Sequence, residues 1–524
     1  MNYKVLLTTS GIGSRLGELT KYTNKSLVRI GKKPAISYII EAYSKEAVFV
    51  VTLGYFGDQV KDFLELAYPD RKFEFVTVDK YDGPGTSLGY SMLQAKNNLQ
   101  CPFVYHACDT LTTDVIPTPD HNWIAGFKGG GDSTSYASWR IINEETFMFS
   151  EKGAIDFDFL HIGLVGIFEY EKFWNELSSL YKKNNPMNVS LNDCQTIEKM
   201  MINKCKFKLI EFSTWFDIGN TTSLNHARAT VKDHFENLDK VDESIFLFDD
   251  FVIKFFYDKE IIRKRVERAK VLKGLVPEIE GVKDNFYRYK FVKGDLYARV
   301  VNPTNFKAFL SWTKENLWVQ NNAISLEKFK EVCFDFYYNK SIKRIEKFLK
   351  ENNIEDGEDV INGEKVPAIK DLLSKIDFKW LSDSEQSKMH GDFILDNILK
   401  TKDSYCLVDW RQDFGGLTEV GDVYYDLAKL NHNLTINHDI INANQFTIKT
   451  YDHTIDCDIF RRELLVNCQA ELHKFIKDSG LDLKKVKILT GIIWLNMSPL
   501  HHYSFNLFLY YFGKLNLWRA IQEK

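Results

Sequence analysis

Residues 4–15 read Lys4-Val5-Leu6-Leu7-Thr8-Thr9-Ser10-Gly11-Ile12-Gly13-Ser14-Arg15, and this stretch decides the fold class. An unbroken apolar run ahead of a turn reads as a strand buried on both faces, the mark of a parallel sheet. A glycine turn follows at once, where backbone N–H groups can approach phosphate and an arginine can offset its charge. Taken alone, Gly11-x-Gly13-x-Arg15 fits a plain strand-to-helix turn equally well.

Outward from that turn, residues 1–230 alternate short apolar runs with helical patterns, as a parallel sheet covered by helices requires. The spacing predicts helices over Pro34–Tyr43, Gln59–Leu66 and Ser87–Asn97, with strands over Ala47–Leu53, Phe73–Val78 and Phe103–Ala107. Between about 228 and 244 the chain turns polar, which places a domain boundary there. Ile245–Phe248 and Phe251–Phe256 then read as a hairpin over Asp249-Asp250, and 259–273 as a basic helix. Phe286–Phe291 and Tyr297–Val300 read as strands. Nearly everything over 303–385 and from 423 onward has helical spacing.

A length of 524 residues exceeds what one core usually holds, so two to four domains are expected. With 44% hydrophobic and 27% charged residues, a disordered or collagen-like chain is excluded. A net charge of −4 gives no global reason to bind nucleic acid or an anionic membrane. The eight cysteines form no Cys-x-x-Cys pair and read as reduced, mostly buried thiols. Without a signal peptide or a long apolar span, the expectation is a cytoplasmic protein.

Ten residues past Arg15 stands Lys25, in Thr23-Asn24-Lys25-Ser26-Leu27, followed by Lys33-Pro34 and Glu41. Further on come Gly83-Pro84-Gly85-Thr86, the strand Phe103–Ala107 ending at Cys108-Asp109, His161-Ile162-Gly163-Leu164, and Trp215-Phe216-Asp217-Ile218-Gly219. In this order the segments resemble the sugar-phosphate nucleotidyltransferase family over about residues 1–230. Departures from its pattern are Thr9-Ser10 for Ala-Gly, Asn24 for proline, Cys108 for glycine and His161 for asparagine. The resemblance implies a Rossmann-like, doubly wound, mostly parallel sheet in a nucleotidyltransferase domain over 1–232. It implies nucleotide binding by Ser10, Gly11, Gly13, Gly85 and Thr86, and Mg²⁺ on Asp109 and Asp217. Arg15 and Lys25 would then stabilise the phosphates as pyrophosphate leaves. No protein base is needed, because the attacking phosphate is already an anion.

The sharpest motif of the second half is His390-Gly391-Asp392-Phe393-Ile394-Leu395-Asp396-Asn397. Leu407-Val408-Asp409-Trp410 follows, and then Gly421-Asp422-Val423-Tyr424-Tyr425-Asp426-Leu427-Ala428. The set resembles the choline kinase and aminoglycoside phosphotransferase family. That resemblance implies a bilobal, protein-kinase-like α+β domain over 240–524, with a small lobe about 240–300 and a helical lobe over 301–524. Asp392 would take the proton of the substrate hydroxyl, and Asn397 and Asp409 would hold Mg²⁺ on ATP. Lys254 would grip the phosphates with Glu267 as its partner, Glu260 competing for that place. His390 would brace the loop.

Other features have plainer readings. The seven basic residues of 259–273 read as a solvated face. Tyr287, Tyr289, Trp494, Tyr503 and Tyr510 could cage a quaternary amine, but at 14% aromatic content core packing is the expectation. Joined, the halves predict a bifunctional kinase and nucleotidyltransferase. Its substrates would be ATP, a second NTP and a small sugar or amino alcohol, its product serving capsule or lipopolysaccharide synthesis. Synthesis of CDP-choline is the alternative, and a silent regulatory or scaffold half is another. A homo-oligomer stays open.

Overall fold

The computed structural model describes residues 3–128, 133–144, 146–183, 191–231 and 240–523. Contacts divide the chain into two compact units, Met1–Lys259 with Glu280–Tyr289, and Glu260–Ile279 with Lys290–Lys524.

In the first unit the strand Lys4–Thr8 lies between Val48–Leu53 and Phe103–Ala107, parallel to both. Lys72–Thr77 extends this side, also parallel. Val5 and Leu7 are fully buried in one layer and Leu6 in the other, the alternation a central strand demands. Helices Ala35–Glu41 and Gly57–Ala67 cover the first face, and Leu88–Gln94, Tyr170–Lys183 and Asp193–Ile202 the second.

Beyond Phe103–Ala107 the nine-stranded sheet changes character. Phe159–Ile167 runs antiparallel to Phe103–Ala107, Trp123–Phe127 and Ser138–Asn143. The sheet is therefore mixed where a mostly parallel one was expected. Parallel neighbours need a crossover, usually a helix. The described residues between Ala107 and Phe159 hold only strands, turns and one 3₁₀ turn.

Glu243–Leu247 and Phe251–Phe256 form the expected hairpin, in a four-stranded sheet with Phe286–Lys290 and Ile279–Lys283. Its inward aromatic face joins the first unit's core, with Phe63 lying 5.5 Å from Phe246 and 6.0 Å from Phe286 between ring centroids. Leu247 N donates to Lys32 O at 2.9 Å. The compact units thus part after Lys259, whereas the composition placed a boundary at 232–240. Residues 232–239 themselves lie outside the described residues. Polarity of a connection says nothing about where the next apolar face docks.

The second unit is built on helices Pro303–Asn316, Val423–Asn433, Glu463–Asp478, Leu483–Met497 and Phe505–Gln522. Leu326–Phe334 runs through a π-helical turn, Asp335–Asn339, into Lys340–Asn352. Two expectations fail here. Tyr297–Val300 is a helical turn rather than a strand, because Tyr297 buries its ring against Phe309 and Tyr405. Helical spacing also misreads 359–366 and 446–459, which form a four-stranded sheet from Asp359–Ile361, Glu364–Val366, Phe446–Tyr451 and Thr454–Ile459. Buried Ile455 and Cys457 alternate there with exposed residues, a period-two pattern. No helix among the described residues is long and apolar enough to cross a membrane.

Candidate functional site

The glycine turn of the first unit is shaped by what packs on it. Gly13 has φ 71°, and a Cβ there would lie 2.8 Å from Lys25 Cβ. Only glycine lets the loop close over Lys25. Ser10 turns its hydroxyl onto Ser91 at 2.9 Å, so its side chain faces the protein, while Gly11 is open and exposed. Asn24, fully buried, donates its amide to Thr9 O (2.8 Å) and Tyr55 O (2.6 Å). Its Oδ1 accepts Ser26 N at 2.9 Å and so caps the 3₁₀ turn that carries Lys25.

Asp109 leaves the end of the strand Phe103–Ala107, and Lys25 Nζ pairs with its Oδ2 at 2.9 Å. Burial raises the Asp109 carboxyl, but the Lys25 and Arg15 charges overcome this and hold it below its ordinary value. Burial lowers Lys25, yet the Asp109 carboxylate keeps its ammonium well above the usual range. The second acid arrives through a short ribbon. Phe216–Asp217 pairs antiparallel with Thr110–Leu111, Asp217 facing Thr110, and Ile218 N donates to Asp109 O at 3.0 Å. A Cβ on Gly219 would sit 3.0 Å from Asp217 Oδ1, 3.1 Å from Arg15 Nη2 and 3.3 Å from Asp109 Oδ2. Both acids and the arginine therefore converge on one small volume that only glycine leaves open.

Asp217 Oδ1 accepts Gly219 N at 3.0 Å, and its Oδ2 accepts Ser223 Oγ (2.7 Å) and Tyr136 OH (2.9 Å). Sequence reasoning missed Tyr136 and Ser223, whose only signal is proximity in space. Two carboxylates with spare oxygen lone pairs and no nitrogen or sulfur ligand form a donor set suited to magnesium. Gly85 (φ 91°) belongs to a turn closed by Thr86 Oγ1 donating to Gly83 O at 2.8 Å. His161 donates Nε2–H to Asp193 at 2.9 Å and accepts Trp139 Nε1–H on Nδ1 at 3.1 Å.

In the second unit the loop of Asp392 is held from beneath. Asp426 Oδ2 accepts His390 N (2.8 Å) and its Oδ1 accepts Gly391 N (2.7 Å). Both nitrogens of the buried His390 ring are taken, Nε2 by Val408 O at 2.9 Å and Nδ1 by Asp392 N at 3.3 Å. Burial pushes His390 down to about 4, so the ring is neutral at pH 7. Asn397 donates Nδ2–H to Asp392 O at 2.9 Å, which leaves its Oδ1 free to accept. Val408 N donates to Asn397 O at 2.9 Å, bringing Asp409 (φ 57°) to the same loop.

Two cations that sequence reasoning missed occupy these acids. Lys429 Nζ lies 2.7 Å from Asp392 Oδ1, and Arg265 pairs with Asp409. Burial raises the Asp392 carboxyl, but Lys429 holds it below its ordinary value. Glu267 and Glu260 stand on the helix Lys259–Val271. Glu267 is half-exposed and meets Arg263 at 3.5 Å, and the competitor Glu260 meets the same arginine at 2.8 Å. Lys254 is buried on the strand Phe251–Phe256 of the first unit, facing Ile245 in register. Of the five candidate cage aromatics, Tyr287, Tyr289, Trp494 and Tyr510 are buried, whereas Tyr503 is 78% exposed.

No family model matches the chain. Over 115 residues it is 31% identical to choline-phosphate cytidylyltransferase of Streptococcus pneumoniae, and over 115 residues 31% identical to a probable glucose-1-phosphate cytidylyltransferase of Bacillus subtilis. The match spans 22% of this chain and about half the length of these curated relatives, 48% and 42% respectively. Among solved structures, CTP:phosphocholine cytidylyltransferase from Streptococcus pneumoniae aligns at 17% identity and TM-score 0.36, over 44% of this chain and 100% of its own. UDP-glucose pyrophosphorylase complexed with UDP-glucose aligns at 18% identity and TM-score 0.35, over 44% and 98%. The N-terminal part of the chain thus resembles nucleotidyltransferases.

Proposed function

We propose that the first unit is a cytidylyltransferase, joining a phosphorylated small molecule to CMP from CTP with release of pyrophosphate. The observation that carries this reading is the convergence of Arg15, Asp109 and Asp217 on Gly219, with Lys25 on Asp109. CTP is favoured because both curated relatives are named for cytidylyl transfer. An oxygen of the acceptor phosphate attacks the α-phosphorus, the α–β bridging bond breaks, and pyrophosphate leaves. Arg15 offsets charge on the departing phosphates, and Lys25, supported by Asp109, meets the α-phosphate. Magnesium held by Asp109 and Asp217 would neutralise phosphate charge there.

The second unit, in this reading, is an ATP-dependent kinase for a small hydroxyl compound. Asp392 receives the hydroxyl proton as the oxygen attacks the γ-phosphorus and ADP leaves. Asn397 and Asp409 offer oxygens for magnesium. Together the two steps yield a CDP-linked sugar or alcohol, a donor suited to surface polysaccharide. Production of CDP-choline is a second reading, favoured by the name of one curated relative.

Pyrophosphate release from CTP, UTP and GTP with glucose 1-phosphate or phosphocholine tests the first step. CTP should be preferred, with Asp109→Asn lowering kcat about 10²-fold or more. No pyrophosphate from any pairing overturns the assignment. ADP formation that survives Asp392→Asn in full overturns the kinase step.

A further inference from the structure

Beside the Asp392 loop, the second unit gathers cations that lack carboxylate partners. Arg411 stands directly against the loop, since a Cβ on Gly391 would lie 2.7 Å from Arg411 Cβ. Its guanidinium lies 5.4 Å from the centre of the Phe336 ring, and Lys340 Nζ covers the same ring at 3.6 Å. Arg344 follows Lys340 by one helical turn and donates only to a carbonyl, Asn496 O, at 3.1 Å. Among the described residues no carboxylate forms an ion pair with Lys340, Arg344 or Arg411. The acids nearby are engaged elsewhere, Asp413 by Lys264 at 2.8 Å and Asp392 by Lys429 at 2.7 Å.

Arg411 donates Nε–H to Asp413 O at 3.0 Å, and the Asp413 carboxylate, shared with Lys264, is the one acid whose charge reaches Lys340 and Arg411 among the described residues. Three half-buried basic groups on so little counter-charge crowd one another, an arrangement that is costly unless an anion completes it. Burial, with the Arg411 and Arg344 charges, pushes Lys340 down to about 6. The helix is also specially shaped here. The π turn Asp335–Asn339 ends immediately before Lys340. An extra residue in a helix rotates everything beyond it by about 100°, and such turns recur at functional sites.

We propose that Lys340, Arg344 and Arg411 bind an anionic group of the kinase's acceptor, a carboxylate or phosphate, beside Asp392. The inference rests on the kinase reading and narrows it, since a pocket of this sign rejects a quaternary amine and selects a hydroxy acid or a phosphorylated alcohol. A second source of the same chemistry is ATP itself, whose phosphates could fill the cluster instead.

The experiment is equilibrium binding of inorganic phosphate to the full-length chain holding Mg²⁺ and a non-hydrolysable ATP analogue, with choline as the opposing probe. Phosphate should bind with the analogue in place. Lys340→Met and Arg344→Met should each remove or weaken that binding about tenfold, while Arg344→Lys retains most of it. Arg344→Met should unfold at higher urea concentration than the parent, because it removes a repelled charge. Phosphate excluded by the analogue overturns the proposal in favour of ATP's own phosphates. Unchanged phosphate affinity in both Met variants, or choline binding in place of phosphate, overturns it outright. Failure of the analogue to bind defeats the kinase reading instead, and the phosphate titration of the variants still scores the cluster.

Discussion

Asn24 stands where the nucleotidyltransferase pattern carries proline, and the structure supplies the compensation. One buried amide bridges Thr9 O and Tyr55 O while its oxygen caps the turn beneath Lys25. Proline could set the turn but could donate nothing to these carbonyls. Asn24→Ala should destabilise the first unit by about 2 kcal/mol, because a buried acceptor and a partly buried one lose their donor. Urea unfolding checks this, and a midpoint unchanged from the parent would refute the bridging role. Lys429 carries a different lesson at this scale. It lies on a helix 37 residues past Asp392 and no motif marks it, yet its ammonium meets that carboxylate at 2.7 Å.

Among the elements, the two-residue ribbon of Phe216–Asp217 with Thr110–Leu111 does more than larger strands. It couples the backbones that carry Asp109 and Asp217, so the two acids are placed by one ladder. Gly219 completes it by leaving space among Asp217, Arg15 and Asp109. Gly219→Ala should cut kcat for pyrophosphate release roughly 10²-fold through misplacement of these groups. The urea midpoint should hardly move, since the crowding is confined to flexible side-chain ends. Equal loss of stability and turnover would instead mark Gly219 as a folding residue. Asp109 and Asp217 were picked out by sequence as candidate metal ligands, with Gly219 as the end of the same motif. The ribbon was not, because two-residue pairings leave no periodicity to read.

Across the whole molecule, each compact unit buries a neutral histidine under its proposed site. His106 accepts Tyr43 OH on Nδ1 and donates Nε2–H to Thr110 O, both at 2.9 Å. Burial pushes it from its ordinary 6.5 down to about 4, and His390 in the second unit is pushed likewise to about 4. As pH falls from 6.5 to 4 the unfolded chain takes up protons that these folded sites refuse. Stability is therefore complete above pH 6.5 and declines through that window, by ~3 kcal/mol for each histidine. Unfolding free energies measured across that range should show the slope, and His106→Gln should remove its share from the first unit alone. A first-unit slope unaltered by that substitution would refute this cause.

What the sequence determined by itself was local: the strand Lys4–Thr8, the strand Phe103–Ala107 and the glycine turn, with Arg15, Lys25, Asp109, Asp217, Asp392, Asn397 and Asp409 singled out as candidates by motif spacing. Such features show because hydrophobic period and motif spacing act between neighbours along the chain. Only the tertiary structure decided that the hairpin Glu243–Leu247 with Phe251–Phe256 packs into the first unit, and that residues 446–459 pair as strands. It alone set Arg265 on Asp409, Lys429 on Asp392, and Lys340 and Arg411 over the ring of Phe336. Docking of apolar faces and pairing of charges are settled by distance in space, and residues far apart in sequence give no local sign of it.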